Sequence, residues 1–150
     1  MPVVDVYTDG ACRGNPGPGG WAAVLLYGEH RRELSGGERS TTNQRMELTA
    51  AIEAIRALRR PCHVRIHSDS AYLVNAFQRG WVQRWQANGW RTAAGKAVEN
   101  QDLWRELLWV MRPHRVDWVK VAGHAGDVWN ERADQLARAA VPSDPGPDGA

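Results

Sequence analysis

The 150-residue sequence contains few cysteines, only Cys12 and Cys62. Two thiols provide neither a disulfide framework nor a spaced set of metal-binding thiolates, so a reducing compartment is expected. Apolar runs stay well below the ~18 residues that a membrane-spanning helix needs, and the N-terminus does not resemble a secretion signal. The sequence therefore predicts a cytoplasmic protein that does not insert into a membrane.

The net charge is also small, since 19 basic residues against 17 acidic residues give only +2. This value does not establish an anionic partner, and only an uneven distribution of charge would indicate one. An apolar content of 43% over 150 residues is sufficient for one domain with a sizeable core. We expect this domain to span residues 1–141. The tail, residues 142–150, is predicted to be disordered because Pro, Gly and Asp offer nothing to pack.

Secondary-structure patterns predict an α/β domain. β-branched and apolar residues indicate strands at 3–9, 63–69 and 116–121, together with a hairpin of strands 21–27 and 31–35 that turns near Gly28. Helical spacing of apolar residues indicates helices at 48–58, 72–77, 81–86, 103–111 and 129–140, the last capped by Asp127. Three strands followed by alternating helices and strands favour a mixed sheet with helices on its faces.

Acidic residues occupy positions where burial would be costly. Asp9 and Asp69 each end a predicted strand, and parallel neighbouring strands would bring both carboxylates to one rim of the sheet. Glu47 and Asp134 lie at the edges of helical packing faces. Four converging carboxylates repel one another unless a divalent cation neutralises them. Oxygen ligands without a Cys or His cluster favour Mg²⁺ or Mn²⁺.

A segment from residue 79 to residue 96 carries four basic residues, no acid and three tryptophans. Trp81 and Trp85 share one face of the predicted helix because they are four residues apart. Basic residues interleaved with aromatics suit a groove that follows a nucleic-acid strand. The alternative interpretation is that the tryptophans attach the segment to the body of the domain, which fits Trp90 best.

Five motifs occur in an order and spacing that resemble bacterial type I ribonuclease H over about residues 3–140. The motifs are YTDGACRGNPGPGGW, TTNQRMEL, HSDSAYL, RGWVQRWQANGWRT, and GHAG followed by NERADQLA. The resemblance implies a five-stranded mixed sheet with helices on both faces. It also implies a metal-dependent endonuclease that hydrolyses the RNA strand of RNA–DNA hybrids, leaving 5′-phosphate and 3′-hydroxyl ends. Two Mg²⁺ ions are the implied cofactors, with Mn²⁺ as a possible substitute, and we expect a monomer.

The resemblance also implies roles for individual residues. The metal ligands would be Asp9, Glu47, Asp69 and Asp134, and His124 would be the catalytic histidine of a flexible loop. Hybrid backbone and 2′-hydroxyl contacts would come from Gly10, Asn15, Asn43 and Gln44, while Thr42 and Asn43 would form a pocket for a DNA phosphate. The DNA strand would be held by Trp81, Arg84, Trp85, Arg91 and Lys96.

Three positions depart from the pattern of the bacterial enzymes. Ala122 replaces a common lysine, Lys120 replaces an aromatic residue, and Ala71 replaces a glutamine. None of these departures falls on one of the four carboxylates. They therefore affect the expected substrate affinity and cleavage preference and leave the expected reaction unchanged. Two alternatives share many of the same features: a catalytically inactive hybrid-binding module, and a related two-metal nuclease that acts on DNA.

Overall fold

The structure is a computed structural model that describes residues 1–122 and 127–143. These stretches contain five strands and five helices. The strands are β1 (Val3–Cys12), β2 (Gly17–Tyr27), β3 (His30–Thr41), β4 (His63–Ser68) and β5 (Arg115–Lys120). The helices are α1 (Asn43–Arg56), α2 (Ala71–Gln78), α3 (Trp81–Asn88), α4 (Gln101–Met111) and α5 (Val128–Ala140).

The five strands form one mixed sheet in the order β3-β2-β1-β4-β5. β1, β2 and β3 pair antiparallel, as expected for consecutive hairpins, whereas β1, β4 and β5 pair parallel. The parallel register sets Tyr7 opposite His67. The predicted five-stranded mixed sheet is confirmed.

Helices cover both faces of this sheet. A Cβ on Gly19 would meet Met46 of α1, whereas a Cβ on Gly20 would meet Ala137 of α5. Since successive residues of a strand point to opposite faces, α1 and α5 lie on opposite sides of β2. The main core is on the α1 side and includes the fully buried Ile66.

Two glycines fix how closely α5 approaches the sheet. Gly20 and Gly37 are paired across β2 and β3. A Cβ on Gly20 would lie 2.2 Å from the Ala137 carbonyl oxygen, and a Cβ on Gly37 would lie 2.2 Å from that of Ala140. No larger residue fits without moving the helix. These glycines therefore allow α5 to rest directly on the sheet, which places Asp134 near β1.

The ends of two strands differ from the sequence-based expectation. β1 continues past Asp9 to Cys12, and β3 continues to Thr41 rather than ending near residue 35. The additional residues are glycine-rich or polar, but β2 pairs with both segments along its length. The Asp127 cap is confirmed, because its side chain accepts a hydrogen bond from the Asn130 N–H at 3.0 Å. Within the described residues, every helix is too short or too polar to cross a bilayer.

Candidate active site

Asp9 and Asp69 lie together at the carboxyl end of the parallel strands. Tyr7 is paired with His67, and each aspartate follows two residues later in its own chain segment. Asp9 is still within β1, and Asp69 is the first residue after β4. One carboxylate oxygen from each, and one from Glu47, lie within 4.8 Å of one another. The predicted rim of acids is therefore present.

Glu47 reaches this rim because α1 packs very closely on β1. A Cβ on Gly10 would lie 2.6 Å from the Glu47 backbone nitrogen, so only glycine permits this approach. The side chain of Glu47 is buried beside Asp9, with 4% and 5% of the two residues exposed. Gly10 therefore has a structural role in bringing helix and strand together, whatever it contacts in a ligand.

The pKa values of all three carboxyl groups are raised. Burial, then the charge of Asp69 and the hydrogen bond and charge of Asp134, raise the pKa of Asp9 to about 8. Burial and the charges of Asp9 and Asp69 raise the pKa of Glu47 well above its usual range. The pKa of Asp69 is also raised by burial, although the charge of Lys120 opposes this shift. Such a cluster is unfavourable when fully ionised and free of a cation.

The arrangement fits a hard divalent cation. The Oε1 atom of Glu47 is buried and has no hydrogen-bond partner among the described residues. Within those residues, no Lys, Arg or His forms an ion pair with Asp9, Glu47 or Asp69. Converging carboxylate oxygens that form no ion pair with the protein are the ligands that Mg²⁺ and Mn²⁺ prefer. The donor set and the unpartnered oxygen both agree with a metal site.

Asp134 lies at the edge of the cluster. It is close enough to raise the pKa of Asp9, but its Oδ2 accepts a hydrogen bond from Arg138 at 2.5 Å. Its side chain is 41% exposed. The structure thus brings three of the four predicted ligands together and places the fourth beside them. Sequence reasoning missed Arg138, although its position four residues after Asp134 on a helix is a recognisable signal.

The predicted backbone and 2′-hydroxyl contacts gather around the start of α1. Thr42 caps this helix by accepting a hydrogen bond from the Arg45 N–H at 3.2 Å. The Asn15 side chain accepts one from the Asn43 N–H at 2.9 Å, which ties the glycine-rich loop to the helix. The first turn of α1 contains no acid, and Gln44 is partly exposed there. Glu47 follows within the same helix, so this polar surface adjoins the carboxylates.

The predicted DNA-strand residues lie on a segment that we call the basic protrusion, residues 79–98. Trp81, Arg84, Trp85 and Arg91 line a groove of about 360 Å³. Arg84, Arg91 and Lys96 are exposed and make no ion pair within the described residues.

The tryptophans of the basic protrusion also pack inward. Trp85 contacts Trp104 and Trp90, with ring centroids 5.3 and 6.0 Å apart. Trp90 is only 6% exposed, as expected for a residue that attaches the segment to the body. The position of Trp85 is compatible with both interpretations, strand contact and attachment to the body, since it lines the groove and packs against the core.

His124 lies outside the described residues. Lys120, one of the departures noted from sequence, donates a hydrogen bond to the Val121 carbonyl at 2.9 Å. Sequence reasoning also missed Arg45, which makes a two-point contact with Asp102 at 3.0 and 2.7 Å. No local signal identifies that pair because its members are distant in sequence.

The fold and the site together define a class of enzyme. Acids converge at the carboxyl end of parallel strands, beside a polar helix start and a groove lined by arginines and indoles. This combination is typical of nucleases that use carboxylate-bound divalent cations to hydrolyse phosphodiesters.

The chain belongs to the ribonuclease H family, because the RNase H family model matches residues 1–142. It is 64% identical over 141 residues to the ribonuclease H of Moorella thermoacetica, covering 94% of this chain and 93% of the relative. The ribonuclease H of Symbiobacterium thermophilum is 63% identical over 141 residues, covering 94% and 96%. Among solved structures, LC9-RNase H1, described as a type 1 RNase H with the type 2 active-site motif, is similar with a TM-score of 0.84 and 37% identity. That match covers 94% of this chain and 72% of the other.

Proposed function

We propose that this enzyme hydrolyses the RNA strand of RNA–DNA hybrids as an endonuclease and leaves 5′-phosphate and 3′-hydroxyl ends. The observation that carries the proposal is the buried cluster of Asp9, Glu47 and Asp69 with its unpartnered Glu47 oxygen. This cluster occurs in a chain that belongs to the ribonuclease H family. Family membership supports the reaction, and the cluster supports retained catalytic chemistry.

The proposed metal ligands are Asp9, Glu47, Asp69 and Asp134, which would hold two Mg²⁺ ions, with Mn²⁺ as a substitute. When bound, such a pair activates the attacking water and stabilises the leaving oxygen of a phosphodiester. These four residues would hold and orient the ions, and the burial of Asp9 and Glu47 limits the access of water to the site. Of the four residues, Asp134 would contribute least to metal binding, because it is more exposed and pairs with Arg138.

The surface at the start of α1 is proposed to contact the hybrid. Backbone N–H groups of a helix N-terminus attract phosphate oxygens, and the Thr42 hydroxyl and Asn43 side chain would complete a pocket for a DNA phosphate. Gly10, Asn15 and Gln44 would contact backbone and 2′-hydroxyl groups. The 2′-hydroxyl groups, displayed across a wide minor groove, are what distinguish RNA from DNA.

The basic protrusion is proposed to hold the DNA strand. Arg84, Arg91 and Lys96 would pair with phosphates, while Trp81 and Trp85 would stack on bases or sugars. The groove between α3 and the following loop supports this role, since exposed guanidinium groups and indoles line it together.

His124 is proposed to move protons or assist product release, because histidine is the side chain type that most often serves as a general acid or base. We also propose a cytoplasmic monomer whose catalytic domain spans residues 1–141, followed by a tail at 142–150. Both cysteines are free thiols, which agrees with a reducing compartment. Sedimentation of the purified protein with and without hybrid would measure the oligomeric state.

A gel assay with end-labelled RNA–DNA hybrid, duplex DNA and duplex RNA tests the proposed function. We expect cleavage of the hybrid alone, in Mg²⁺ or Mn²⁺ and not in EDTA, with 5′-phosphate products. Hybrid binding without cleavage would indicate the inactive binding module. Cleavage of duplex DNA at a similar rate would indicate the related DNA nuclease. Asp9→Asn is the control that links any cleavage to the carboxylate cluster.

A further inference from the structure

The large apolar side chain of Trp109 lies mostly outside the core. It lies on α4 and is 67% exposed, whereas Trp104 on the same helix is fully buried. The guanidinium of Arg112 lies over the Trp109 ring, 4.4 Å from its centroid. Because the residue remains largely accessible, the opposite face of the indole is free. Trp and Arg side chains are enriched at binding surfaces, so an exposed indole beside an arginine is a candidate contact point.

Arg105 extends this surface towards the basic protrusion. Arg105, Trp109 and Arg112 are spaced four and three residues apart, which places them on one face of α4. The Arg105 guanidinium lies 4.8 Å from the centroid of the Trp90 ring. Neither arginine forms an ion pair within the described part of the chain. We call these three residues, together with Trp90, the α4 outer surface.

Two grooves of about 570 Å³ each meet at Trp109 and Arg112. One contains Trp90 and Arg105, and the other contains Arg56. Among the described residues, no aspartate or glutamate lines either groove. The arginines in these grooves whose charge is unpaired within the described residues are Arg105 and Arg112, since Arg56 pairs with Glu53 and Glu106. Positive charge where the two grooves meet favours a polyanion.

We propose that the α4 outer surface binds a single strand of nucleic acid, with one base stacked on the free face of Trp109 and phosphates paired with Arg105 and Arg112. Guanidinium groups stacked on indoles keep their N–H edges available for phosphate oxygens. From Arg105 to Arg112 the helix rises ~10 Å, which matches about three phosphates at the ~3.4 Å axial spacing of a stacked strand. This binding is separate from cleavage at the carboxylates.

Two other occupants are less well matched. A second copy of the chain placed symmetrically about Trp109 would set arginines against arginines, which is repulsive. An acidic protein segment would pair with the arginines, but it presents a planar ring to the free indole face only where it carries an aromatic residue. A nucleobase always presents such a face, and stacking on it is independent of sequence.

The test is fluorescence anisotropy of a labelled oligothymidylate of about ten nucleotides, within the usual range of single-strand site sizes. The protein is kept in EDTA with a saturating excess of unlabelled blunt hybrid, so that the cleft and the groove at Trp81, Arg84 and Arg91 are occupied. We expect wild-type protein to bind the oligonucleotide under these conditions. Trp109→Ala should weaken binding by about 5- to 150-fold, the range for one stacked base.

The double variant Arg105→Gln/Arg112→Gln should flatten the dependence of log K on log salt by about 1.4, or about 0.7 for each phosphate contact on a single strand. Tyr27→Ala and Arg39→Gln are matched controls on other surfaces and should bind as the wild type does. Cleavage of a blunt hybrid in Mg²⁺ should stay near the wild-type rate in Trp109→Ala, which shows that the fold and the active site are intact.

Several results would overturn the proposal. Full displacement of the oligonucleotide by blunt hybrid would place its binding in the cleft. Equal affinity for an abasic oligonucleotide would remove the stacking role of Trp109. Tighter binding of an acidic peptide of alternating Glu and Leu, lost in the same variants, would assign the surface to a protein partner instead.

Discussion

The carboxylate cluster and the basic protrusion are built in opposite ways. Asp9 and Glu47 are almost completely buried, on a strand and a helix that belong to the main body of the domain. Arg84, Arg91 and Lys96 are exposed. Their segment is attached to the body by buried side chains such as Trp90, and its outer loop makes its own hydrogen bonds, such as that from the Thr92 N–H to the Lys96 carbonyl at 2.7 Å.

This difference separates two tasks. Buried acids in a medium of low polarity interact strongly, so their geometry must be fixed by the core and their charge neutralised by cations. Exposed bases are screened by water and salt, so they supply affinity without requiring a fixed geometry. Changes in the cluster should therefore alter turnover and pH behaviour, and changes in the basic protrusion should alter affinity and salt dependence.

The largest expected effect comes from removing one charge of the cluster. Asp9→Asn should reduce hybrid cleavage by more than about 100-fold, since loss of a residue that only supports a metal ligand already costs 10- to 100-fold. Hybrid affinity in EDTA should remain close to that of the wild type. Single-turnover cleavage and a binding titration measure the two quantities.

Asp5→Asn is the matched control for this variant. Asp5 lies on the same strand and face, but it pairs with Arg65 and His67 rather than with the cluster. It should retain most activity. Turnover of Asp9→Asn at the wild-type rate would remove Asp9 from the metal site. The cleavage activity of Asp134→Asn should lie between those of Asp9→Asn and Asp5→Asn, because Asp134 is at the edge of the cluster.

The next largest effect is expected on the free energy of unfolding of the metal-free protein. Burial holds the pKa of Asp9 near 8 in the folded protein, compared with an ordinary value of 3.8. A raised pKa means that the folded state binds the proton more tightly than the unfolded state does. The contribution of Asp9 to stability is therefore complete below about pH 4 and is lost as the pH rises towards 8. The free energy of unfolding in EDTA should therefore fall by about 1–3 kcal/mol between pH 5.5 and pH 8.5.

Urea melts in EDTA across this pH range provide the measurement. Asp9→Asn should flatten the decline, and Mg²⁺ should stabilise the wild type more at pH 8.5 than at pH 5.5. Ion pairs lower the pKa values of Asp5, Glu33, Asp102 and Asp117, so their contributions change only at more acidic pH. A flat profile in the wild type would mean that the cluster does not strain the folded state.

A smaller effect is expected from the charge of the basic protrusion. Replacing Arg84, Arg91 and Lys96 by alanine should weaken hybrid binding at low salt. It should also flatten the dependence of log K on log salt by up to about 2.7, from about 0.9 per phosphate contact. Turnover at saturating hybrid should be retained because the carboxylates are unchanged.

The matched control removes Arg32, Arg59 and Arg60, which are exposed and line a different groove. This triple variant has the same loss of charge but should keep most of the wild-type salt slope. Equal flattening in both triple variants would mean that hybrid binding responds only to net charge, and the basic protrusion would lose its proposed role.

The parts of the site that sequence could predict are those set by local patterns. Asp9 and Asp69 were identified because strand endings are readable and parallel strands align their carboxyl ends at one rim. Glu47 was identified from its place at the edge of a helical stripe. The resemblance to the family added His124 and the individual substrate contacts, which remain predictions.

The parts that sequence could not predict depend on distant partners. Gly20 and Gly37 resemble loop residues, yet they are paired in the sheet, and they must be glycine because α5 lies across them. The sequence left open whether Trp85 contacts a strand or attaches its segment to the body, and it could not identify Trp104 of α4 as the side chain that lies against it. Neither contact has a local signal, since each depends on how elements far apart in sequence are packed.

The smallest expected effect tests the link between the two regions. Arg45 follows the proposed hybrid contacts at the start of α1, and Asp102 lies in the first turn of α4, just after the basic protrusion. Their two-point contact is supported by Asn100, whose side chain accepts a hydrogen bond from Arg45 at 3.2 Å. Arg45→Gln should raise KM for the hybrid severalfold with kcat unchanged, because the two strand-binding surfaces would lose their relative position.

The stability cost of Arg45→Gln should be below about 1 kcal/mol, since both partners are partly exposed. A double-mutant cycle with Asp102→Asn isolates the coupling between them. Arg56→Gln is the matched control, because Arg56 pairs with Glu106 and so joins the same two helices further from the carboxylates. If both pairs stabilise the fold equally but only loss of Arg45 raises KM, the Arg45–Asp102 pair positions the basic protrusion. An equal rise in KM for both variants would mean that the packing of α1 on α4 as a whole matters, and the specific role of Arg45 would be lost.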